Sequence, residues 1–582
     1  MHVTLNLFRI KLRDLIVLLI LVPASLAEAE FVDRRGKVLE WGWHTPSPQY
    51  VYANIAAMQH LPFDGFALDI RRNAPLENST KDFLSWRAWR QVERPENYSQ
   101  SIDALRMTSL GRFTDCFLRL NLSSDDGDWY DDPTAIMTNA ALLARVARTC
   151  GAKGILLDVE QYGASWLRYL SLPQHAKHSF AEYQQQVRHR GRELMHAFQS
   201  EYPDVDILLT FGYMFATRTN KDLAKSAYGL LPSLIDGLLD AAKENNVIID
   251  GWEQSYAYRA GTDFERAYQL MHTQAAEWAA DPHKFAQHYR ASFGIWLDEG
   301  QKWDPEDFGH NYFTPRAFHH VVQESLKRCD GYVWIYSEKP NWWNGGIPQP
   351  YVDAIKLAHK DGRLERFSGK KDLETWTESI PDSGTTFLQN ESLCINTKEA
   401  DTSIAEASYT TRRLTVGAGE TVSVEVTNCA PGDSASIDRP PIFGLALTNS
   451  AGDHVLSVRW SDTENAINAG VLNATGKFSY ETISAADHPQ NAALIYEIER
   501  SNRHTATFRV YHSNGGQLVG KPLTLSDKDI PQDLKISLFS QAAEVRFDTV
   551  WVTSETNGAA RDALPDVLLK VASPPDSNAD PS

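Results

Sequence analysis

Asp158 and Glu160 stand two residues apart, directly after the apolar stretch 154–157. On a β-strand, residues two apart point to the same side, so we expect both carboxylates to face one site. Two close carboxylates cannot both ionise freely; the pKa of one rises, and that group can serve as a general acid. The spacing therefore predicts acid–base chemistry, with solvated loop acids or ion-pair partners of Arg71 and Arg119 as the alternative.

Aromatic and polar residues crowd the ends of similar apolar runs and the loops after them. Flat aromatic faces mixed with carboxylates suit the CH face and hydroxyl edge of a sugar. A nucleotide or a hydrophobic ligand fits less well with so much acidic charge. The residues expected to contact the ligand are Trp43, His44, Asp69, Tyr162, Tyr213, Trp252, Trp296, Asp298, Trp334, Tyr336 and Glu338.

A metal site is the competing interpretation of part of this set. His44 and Asp69, together with the acids at 158 and 160, have side chains that can bind a metal ion. The sequence contains no HxH or HExxH motif to support such a site, and it has no GxSxG, P-loop or GxGxxG motif either. We therefore expect neither a metal nor a cofactor.

The elements that must position these residues repeat along the first two thirds of the chain. Short β-rich apolar runs alternate with helical segments, which begin at signals such as Asp132-Pro133, Ser179, Thr314-Pro315 and Pro350. Eight such units predict an α/β fold, a (β/α)₈ TIM barrel. An open doubly wound sheet is disfavoured because no Gly-rich nucleotide turn follows any run. The runs are 37–44, 63–71, 113–122, 154–160, 206–213, 248–253, 293–299 and 331–338.

The barrel predicts where a second catalytic carboxylate lies. Function gathers at the carboxyl ends of barrel strands, and the fourth and seventh strands lie across the mouth from each other. With Glu160 as the general acid and Asp158 positioning it, Glu299 at the end of the seventh strand is the first choice for nucleophile or base. Glu253 at the end of the sixth strand is the second choice.

The sequence pattern changes after about residue 380, which indicates a second domain. Short alternating runs separated by Gly, Asn and Asp predict a C-terminal β-sandwich. Its last run, 545–552 (VRFDTVWV), resembles the final strand of concanavalin A-like jelly rolls. Trp460 and Trp551 lie within strands, where they either bind glycan or belong to the core. The expected organisation is a signal peptide at 1–29, the barrel at 30–365, a linker at 366–384, the sandwich at 385–556 and a disordered tail at 557–582.

Composition and the N-terminus limit the partners and the compartment. The 582 residues carry a net charge of −18, which makes binding to nucleic acid phosphates improbable. Arg9, Lys11 and Arg13 precede an apolar run at 15–22 that is too short to span a bilayer, and small residues follow it. This is the pattern of a secretory signal peptide, so we expect a secreted or periplasmic protein with no integral membrane segment.

Export permits disulfides, and the chain has five cysteines. Cys394 with Cys429 is one conceivable pair, and Cys116 with Cys150 is a weaker one. The odd number leaves at least one thiol without a partner in the chain.

The fourth run, Gly154-Ile155-Leu156-Leu157-Asp158-Val159-Glu160, resembles the fourth-strand signature of chitinase-like glycoside hydrolases. The resemblance implies that Glu160 protonates the glycosidic oxygen and that Asp158 orients a substrate acetamide. Tyr213 and Trp334 would correspond to a substrate-contacting Tyr and a floor Trp. Lys153 and Leu156 replace two of the family's acids, and Val159 stands where the large retaining-glycosidase clan usually has Asn.

We therefore expect a secreted glycoside hydrolase that cleaves a poly- or oligosaccharide by carboxylate acid–base catalysis. The main alternative is a non-catalytic carbohydrate-binding protein on a degenerate barrel, suggested by Lys153 and Leu156. A metal-dependent hydrolase is a third possibility.

Overall fold

The computed structural model describes most of the chain from residue 36 to residue 553. The predicted signal peptide and C-terminal tail lie outside the described residues. The described ranges are 36–74, 82–123, 127–162, 165–358, 362–365, 376–379, 385–389, 392–397, 407–431, 441–472, 477–485, 493–513, 517–527 and 530–553.

Eight parallel strands form a closed barrel in chain order, which confirms the predicted fold class. The last strand closes on the first, with Lys37 opposite Tyr332 and Leu39 opposite Trp334. The strands are β1 Lys37–Glu40, β2 Gly65–Leu68, β3 Phe117–Ser123, β4 Gly154–Gln161, β5 Asp206–Leu209, β6 Ile248–Asp250, β7 Tyr289–Trp296 and β8 Tyr332–Tyr336.

The interior of the barrel is a packed core. Its central cluster takes one or two side chains from most of the strands, among them Leu39, Phe117, Leu156 and Trp334, all nearly fully buried. The residues that alternate with these along the strands face outward and pack against the helices. A filled barrel leaves only its rim available for a site.

Helices follow the strands, and their ends match the sequence signals closely. Ser179 forms a capping box with Glu182, Thr314 caps the next predicted start, and Gly151 ends its helix in the left-handed conformation. The helices are α1 Pro48–Met58, α2 Leu84–Arg87, α3 Ser99–Met107, α4 Thr134–Cys150, α5 Phe180–Glu201, α6 Leu231–Ala241, α7 Gly261–Gln269, α8 Ala275–Trp278, α9 Pro282–His288, α10 Pro315–Arg328 and α11 Gln349–Ala358.

The C-terminal part forms two antiparallel sheets, a β-sandwich, as predicted. One sheet has the order β10-β13-β22-β15-β16-β17-β18 and the other β11-β12-β23-β14-β19-β20-β21, with β9 pairing to β23. The strands are β9 Gly362–Glu365, β10 Trp376–Ser379, β11 Thr385–Gln389, β12 Ser392–Asn396, β13 Ala407–Val416, β14 Thr421–Pro431, β15 Ile442–Thr448, β16 His454–Ser461, β17 Ala466–Leu472, β18 Phe478–Ser484, β19 Ala493–Arg500, β20 Thr505–His512, β21 Leu523–Ser526, β22 Leu534–Gln541 and β23 Ala543–Thr553.

Segments assigned from sequence to the barrel end and the linker contribute strands to these sheets. Strand β9 pairs with β23, and β10 pairs with β13. Trp460 and Trp551 are both buried, at 2% and 7% exposure, as core residues are.

None of the five cysteines, all of which lie within the described residues, forms a disulfide. Cys394 on β12 and Cys429 on β14 are separated by β23, which pairs with both strands. Two strand spacings amount to roughly 9–10 Å, beyond the reach of a disulfide. Cys116 and Cys150 are not bridged either. Neither pairing considered from the sequence is present.

A buried charge cluster joins the barrel to the sandwich. Arg328 at the end of α10 lies 2.5 Å from Glu324, 3.4 Å from Glu265 on α7 and 3.9 Å from Glu425 on β14. The neighbouring His320 contacts the backbone carbonyl of Ser513 at 2.7 Å. Because the outer face of the second sheet is covered here by α10, polar side chains are buried between the two parts.

Within the ranges given above, no helix is both long enough and apolar enough to cross a membrane.

Replacing Arg328 by Met tests the buried cluster. The change leaves the Glu265 and Glu425 carboxylates without this cation, and removing one partner of a buried pair costs about 3–5 kcal/mol. The free energy of unfolding in urea should fall by about that amount. The matched control is Arg145→Met, because Arg145 is 55% exposed in its ion pair with Glu201, and exposed pairs contribute at most about 1 kcal/mol. Equal small effects of both changes would contradict a stabilising role for the cluster.

Candidate active site

An open cavity of about 830 Å³ lies at the carboxyl edge of the barrel. Its floor includes Glu160 from the end of β4 and Glu253 from the segment after β6. Side chains from the ends of β1, β2 and β8 and from the loops after them line its walls. The predicted position of the site, at the carboxyl ends of the strands, agrees with this cavity.

Glu160 and Glu253 are in hydrogen-bond contact. Burial raises the pKa of Glu253 to about 9, and the adjacent Glu160 contributes to the shift. Burial also raises the pKa of Glu160, with the Asp158 charge as the second cause. Glu253 therefore holds a proton at neutral pH, and the pair carries at most one negative charge.

The backbone before Glu253 is strained. Trp252 adopts φ 42° and ψ 60°, a left-handed conformation that bulky residues rarely adopt. Its N–H donates to Asp250 Oδ1 at 3.0 Å, and the Glu253 N–H donates to the carbonyl of Thr210 at 3.2 Å. These bonds to β5 and β6 hold the turn that brings Glu253 to Glu160. Strain of this kind is typical of functional sites.

Glu160 is also held from its other side. The Tyr162 hydroxyl makes a short hydrogen bond to Glu160 Oε2 and lies 2.9 Å from Asp158 Oδ2. Asp158 is fully buried and pairs with Arg119, whose Nη2 is 2.5 Å from Oδ2. Its other oxygen accepts from the Glu160 N–H at 3.1 Å. Arg119, Asp158, Tyr162 and Glu160 thus form one connected network.

Asp158 does not line the cavity, although it was expected to point into the barrel mouth beside Glu160. Both of its oxygens are bonded to protein groups, to Arg119 and Tyr162 on one side and to the Glu160 backbone on the other. Its geometry therefore suits positioning of Tyr162 and Glu160 better than contact with a substrate acetamide. The chitinase-like resemblance implies that Asp158 contacts the substrate, but in this structure its carboxylate is bound within the network.

Asp69 lies beside this network at the wall formed by β2. Its Oδ1 accepts from Ser85 Oγ at 2.6 Å, and its Oδ2 is 4.0 Å from Arg119. Burial raises its pKa. Asp69, which the sequence analysis places among the ligand-contacting residues, lines the cavity.

Aromatic side chains form two walls around the carboxyl pair. Trp296 packs against Tyr256 and Tyr336, which stack with ring centroids 5.3 Å apart. On the opposite side, Trp86 lies 5.1 Å from Tyr162 between ring centroids. Of the predicted ligand-contacting residues, the cavity is lined by Trp43, Asp69, Tyr162, Trp296, Tyr336 and Glu338. Trp43 is 72% exposed, so its ring is available to a ligand.

Three aromatic residues that were predicted to contact the ligand are buried in the protein interior and do not line the cavity. Tyr213 is fully buried and donates to Asp236 at 2.7 Å. Trp252 is buried and donates to the Tyr258 hydroxyl at 3.2 Å. Trp334 fills the barrel interior and donates to the carbonyl of Gly251 at 2.7 Å. A Trp or Tyr near a strand end can face the core, and the sequence pattern does not distinguish the two.

The predicted polar residues Asp298, Glu299 and His44 also lie outside the cavity lining. Asp298 is fully buried, and its carboxylate accepts from the N–H groups of Glu338 and Lys339 at 2.9 and 2.8 Å. Its role is to hold the rim after β8. Glu299, the first choice as partner of Glu160, does not line the cavity; Glu253 occupies the partner position because the turn at Trp252 carries it inward.

The segment 82–90 supplies cavity residues that were not expected from the sequence. Phe83, Trp86 and Arg90 line the cavity, and the backbone of Phe83 bridges to that of Arg71. This segment belongs to the connection after β2 rather than to a strand end. A prediction that considers only the residues at strand ends therefore misses it. The local cluster Trp86-Arg87-Ala88-Trp89-Arg90 is the sequence signal that could have identified it.

Among the residues that the structure describes, no group of three or more His, Cys, Asp or Glu side chains has an arrangement that could hold a metal ion.

Comparison with known proteins gives no family for this chain. No family model matches it, and no curated protein matches it. The structural matches include the carbohydrate-binding module CBM66 from Bacillus subtilis (13% identity, 31% of this chain and 96% of that chain, TM-score 0.23). They also include lectin II from Ulex europaeus (11%, 33% and 98%, TM-score 0.24) and the Ca²⁺-bound exoplasmic/lumenal domain of VIP36 (10%, 33% and 89%, TM-score 0.25). Likenesses of this extent establish neither a family nor an activity.

The raised pKa of Glu253 predicts a titration that can be assigned to this residue. In pH-difference infrared spectra of the wild type, a carboxylic acid should ionise near pH 9, because burial and Glu160 raise the pKa of Glu253 to about 9. Glu253→Gln should remove this signal.

The control is Glu40→Gln. Burial raises the pKa of Glu40 to about 8, at a position bonded to Trp343 and outside the cavity lining. This variant should lose a different carboxyl signal and keep the one near pH 9. Identical spectra for the wild type and Glu253→Gln would contradict the raised pKa of Glu253.

Proposed function

We propose that the protein is an exported glycoside hydrolase that cleaves a poly- or oligosaccharide with Glu160 and Glu253. The observation that carries the proposal is their carboxyl pair on the floor of an open aromatic-lined cavity, with the pKa of Glu253 raised to about 9. Export is supported by the basic and apolar N-terminal segment 1–29. Glycoside hydrolysis requires one protonated and one ionised carboxyl at the scissile bond.

The contacts of the pair favour Glu253 as the general acid. Tyr162 hydrogen-bonds to Glu160 and thereby stabilises its ionised form, whereas the pKa of Glu253 lies near 9. Glu160 is then the nucleophile. This reverses the assignment expected from the sequence, in which Glu160 was the acid, because neither the Tyr162 contact nor the Glu253 contact is visible there.

The closeness of the two carboxyls supports a retaining reaction. Retaining enzymes hold them about 5–5.5 Å apart, whereas inverting enzymes need about 6.5–9.5 Å to admit a water. A pair in direct contact needs to open only slightly to reach the shorter separation.

In the proposed first step, a Glu160 oxygen attacks the anomeric carbon, the bond to the leaving oxygen breaks, and Glu253 gives that oxygen its proton. In the second step, Glu253 takes a proton from water, the water oxygen bonds to the anomeric carbon, and the Glu160 ester bond breaks.

The test is reducing-sugar release from a broad polysaccharide panel by the wild type, Glu160→Gln and Glu253→Gln. Loss of general acid catalysis lowers rates by about 100- to 10,000-fold, so release should nearly vanish in both variants. Glu299→Gln is the matched control, because Glu299 is an acid near the same rim that does not line the cavity. Binding without release by the wild type would favour the carbohydrate-binding alternative. Full activity in either pair variant would refute the assignment.

Aryl glycosides of the sugar released in that panel separate the two roles. A good leaving group needs no proton, so Glu253→Gln should form the glycosyl-enzyme at nearly the wild-type rate and show a burst of phenol. Glu160→Gln should show no burst. The opposite result would restore Glu160 as the acid.

The pH dependence of kcat/KM reports the same pair. Activity should fall below the pKa of Glu160, which is raised above the ordinary value, because the nucleophile becomes protonated. It should also fall as pH rises through about 9, because Glu253 loses the catalytic proton. In Glu253→Gln the residual activity on aryl glycosides should lose the alkaline limb. An unchanged alkaline limb in this variant would assign it to another group.

A further inference from the structure

The wall of the cavity formed by the end of β2 and by segment 82–90 is rich in arginine. Arg71, Arg90 and Arg119 line the cavity here, together with Phe83 and Trp86. The protein as a whole has a net charge of −18. A local concentration of guanidinium groups in an acidic protein therefore needs a specific explanation.

Arg119 is already explained by the catalytic network, since its guanidinium is 2.5 Å from the buried Asp158. Arg71 differs. Its side chain is 44% exposed. The distance from Arg71 Nη2 to Asp82 Oδ2 is 3.8 Å, beyond hydrogen-bond distance. Asp82 is fully buried, so it approaches Arg71 from the protein side and leaves the cavity side of the guanidinium to a ligand.

The backbone of Arg71 is fixed although its side chain is open to the cavity. Ser101 Oγ accepts from the Arg71 N–H at 3.2 Å and donates to the Arg71 carbonyl at 2.8 Å. The guanidinium lies 5.7 Å from the centre of the Phe83 ring. Anchoring and stacking reduce the side-chain freedom that an arginine loses when it binds an anion.

We propose that Arg71 binds an anionic group of the substrate, so that the site takes an acidic glycan bearing carboxylate or sulfate groups. This inference rests on the proposed function and names its substrate class. The planar fork of a guanidinium matches both groups through paired N–H bonds. Aromatic neighbours on the same wall, Phe83 and Trp86, supply the apolar surface for the sugar ring.

The charge of the floor is compatible with an anionic substrate. Because Glu253, with its pKa raised to about 9, is protonated at neutral pH, and Asp158 is paired with Arg119, repulsion from the floor is limited. Two further acids line the cavity: Asp69 at the end of β2, 4.0 Å from Arg119, and Glu338 after β8.

The test uses matched polymers. Soluble neutral glucans and mannans are each compared with their C6-oxidised and their sulfated forms, by the dissociation constant and, where hydrolysis occurs, by kcat/KM. The wild type should prefer an acidic form at least tenfold, and Arg71→Gln should lose most of that preference. Arg71→Lys should lose less, because it keeps the charge but not the fork. Comparison of the C6-oxidised with the sulfated polymers shows whether the site binds a carboxylate or a sulfate group.

Arg106→Gln is the matched control. Arg106 lies on α3 outside the cavity, 54% exposed and 3.7 Å from Asp103, and so resembles Arg71 in exposure and in its long ion pair. It should keep the wild-type preference. Added salt should weaken the preference in the wild type, because exposed charges are screened.

The outcomes separate this inference from the proposed function. Hydrolysis with no preference, or with a preference that Arg71→Gln retains, would overturn the inference and leave the hydrolase intact. An acidic preference in binding that depends on Arg71, without any hydrolysis, would support the inference and overturn the hydrolase. Failure to bind or cleave any form would overturn both.

Discussion

The buried ion pair between Asp158 and Arg119 is the interaction on which the candidate site depends. A fully buried carboxylate is stable as an ion only when a cation and further donors surround it. Here Arg119 and the Glu160 N–H supply them, and the Tyr162 hydroxyl lies within reach. Because the same Tyr162 also hydrogen-bonds to Glu160, the ion pair fixes the position of the Glu160 carboxylate.

The barrel turns this local network into a site by bringing together residues distant in the chain. Strand β4 delivers Glu160, and the strained turn after β6 delivers Glu253, about ninety residues later. A packed interior, with Trp334 and Leu156 among its core residues, leaves the rim as the place where polar side chains can converge. The contact between two acids is destabilising by itself, so the rigid scaffold must hold it, as strained functional sites require.

The sandwich is attached through polar contacts rather than through an apolar core. The Arg328 cluster and the His320–Ser513 bond lie between α10 and the second sheet. Removing one member of such a cluster leaves the other charges buried without compensation. Strand β9, which leaves the barrel and pairs with β23, adds backbone hydrogen bonds to the same connection.

The sequence by itself determined the architecture, because periodicity and capping are local properties. Alternating apolar runs, Ser179 with Glu182, and Thr314 before Pro315 are sufficient to predict a barrel and its helix starts. The Asp-x-Glu spacing likewise predicted a site at the end of the fourth strand, where Glu160 lines the cavity. Local pattern also explains the failures: Trp334 and Tyr213 stand near strand ends, but the sequence does not tell whether an aromatic ring faces the core or the rim.

Only the tertiary structure decided which acid meets Glu160. Glu253 and Glu299 both follow barrel strands, and the choice depends on the left-handed turn at Trp252, a backbone conformation that residue types do not reveal. The tertiary structure also placed Asp158 beneath the cavity and brought Arg71 to its wall. These outcomes depend on long-range contacts, whose energies exist only once distant strands are packed side by side.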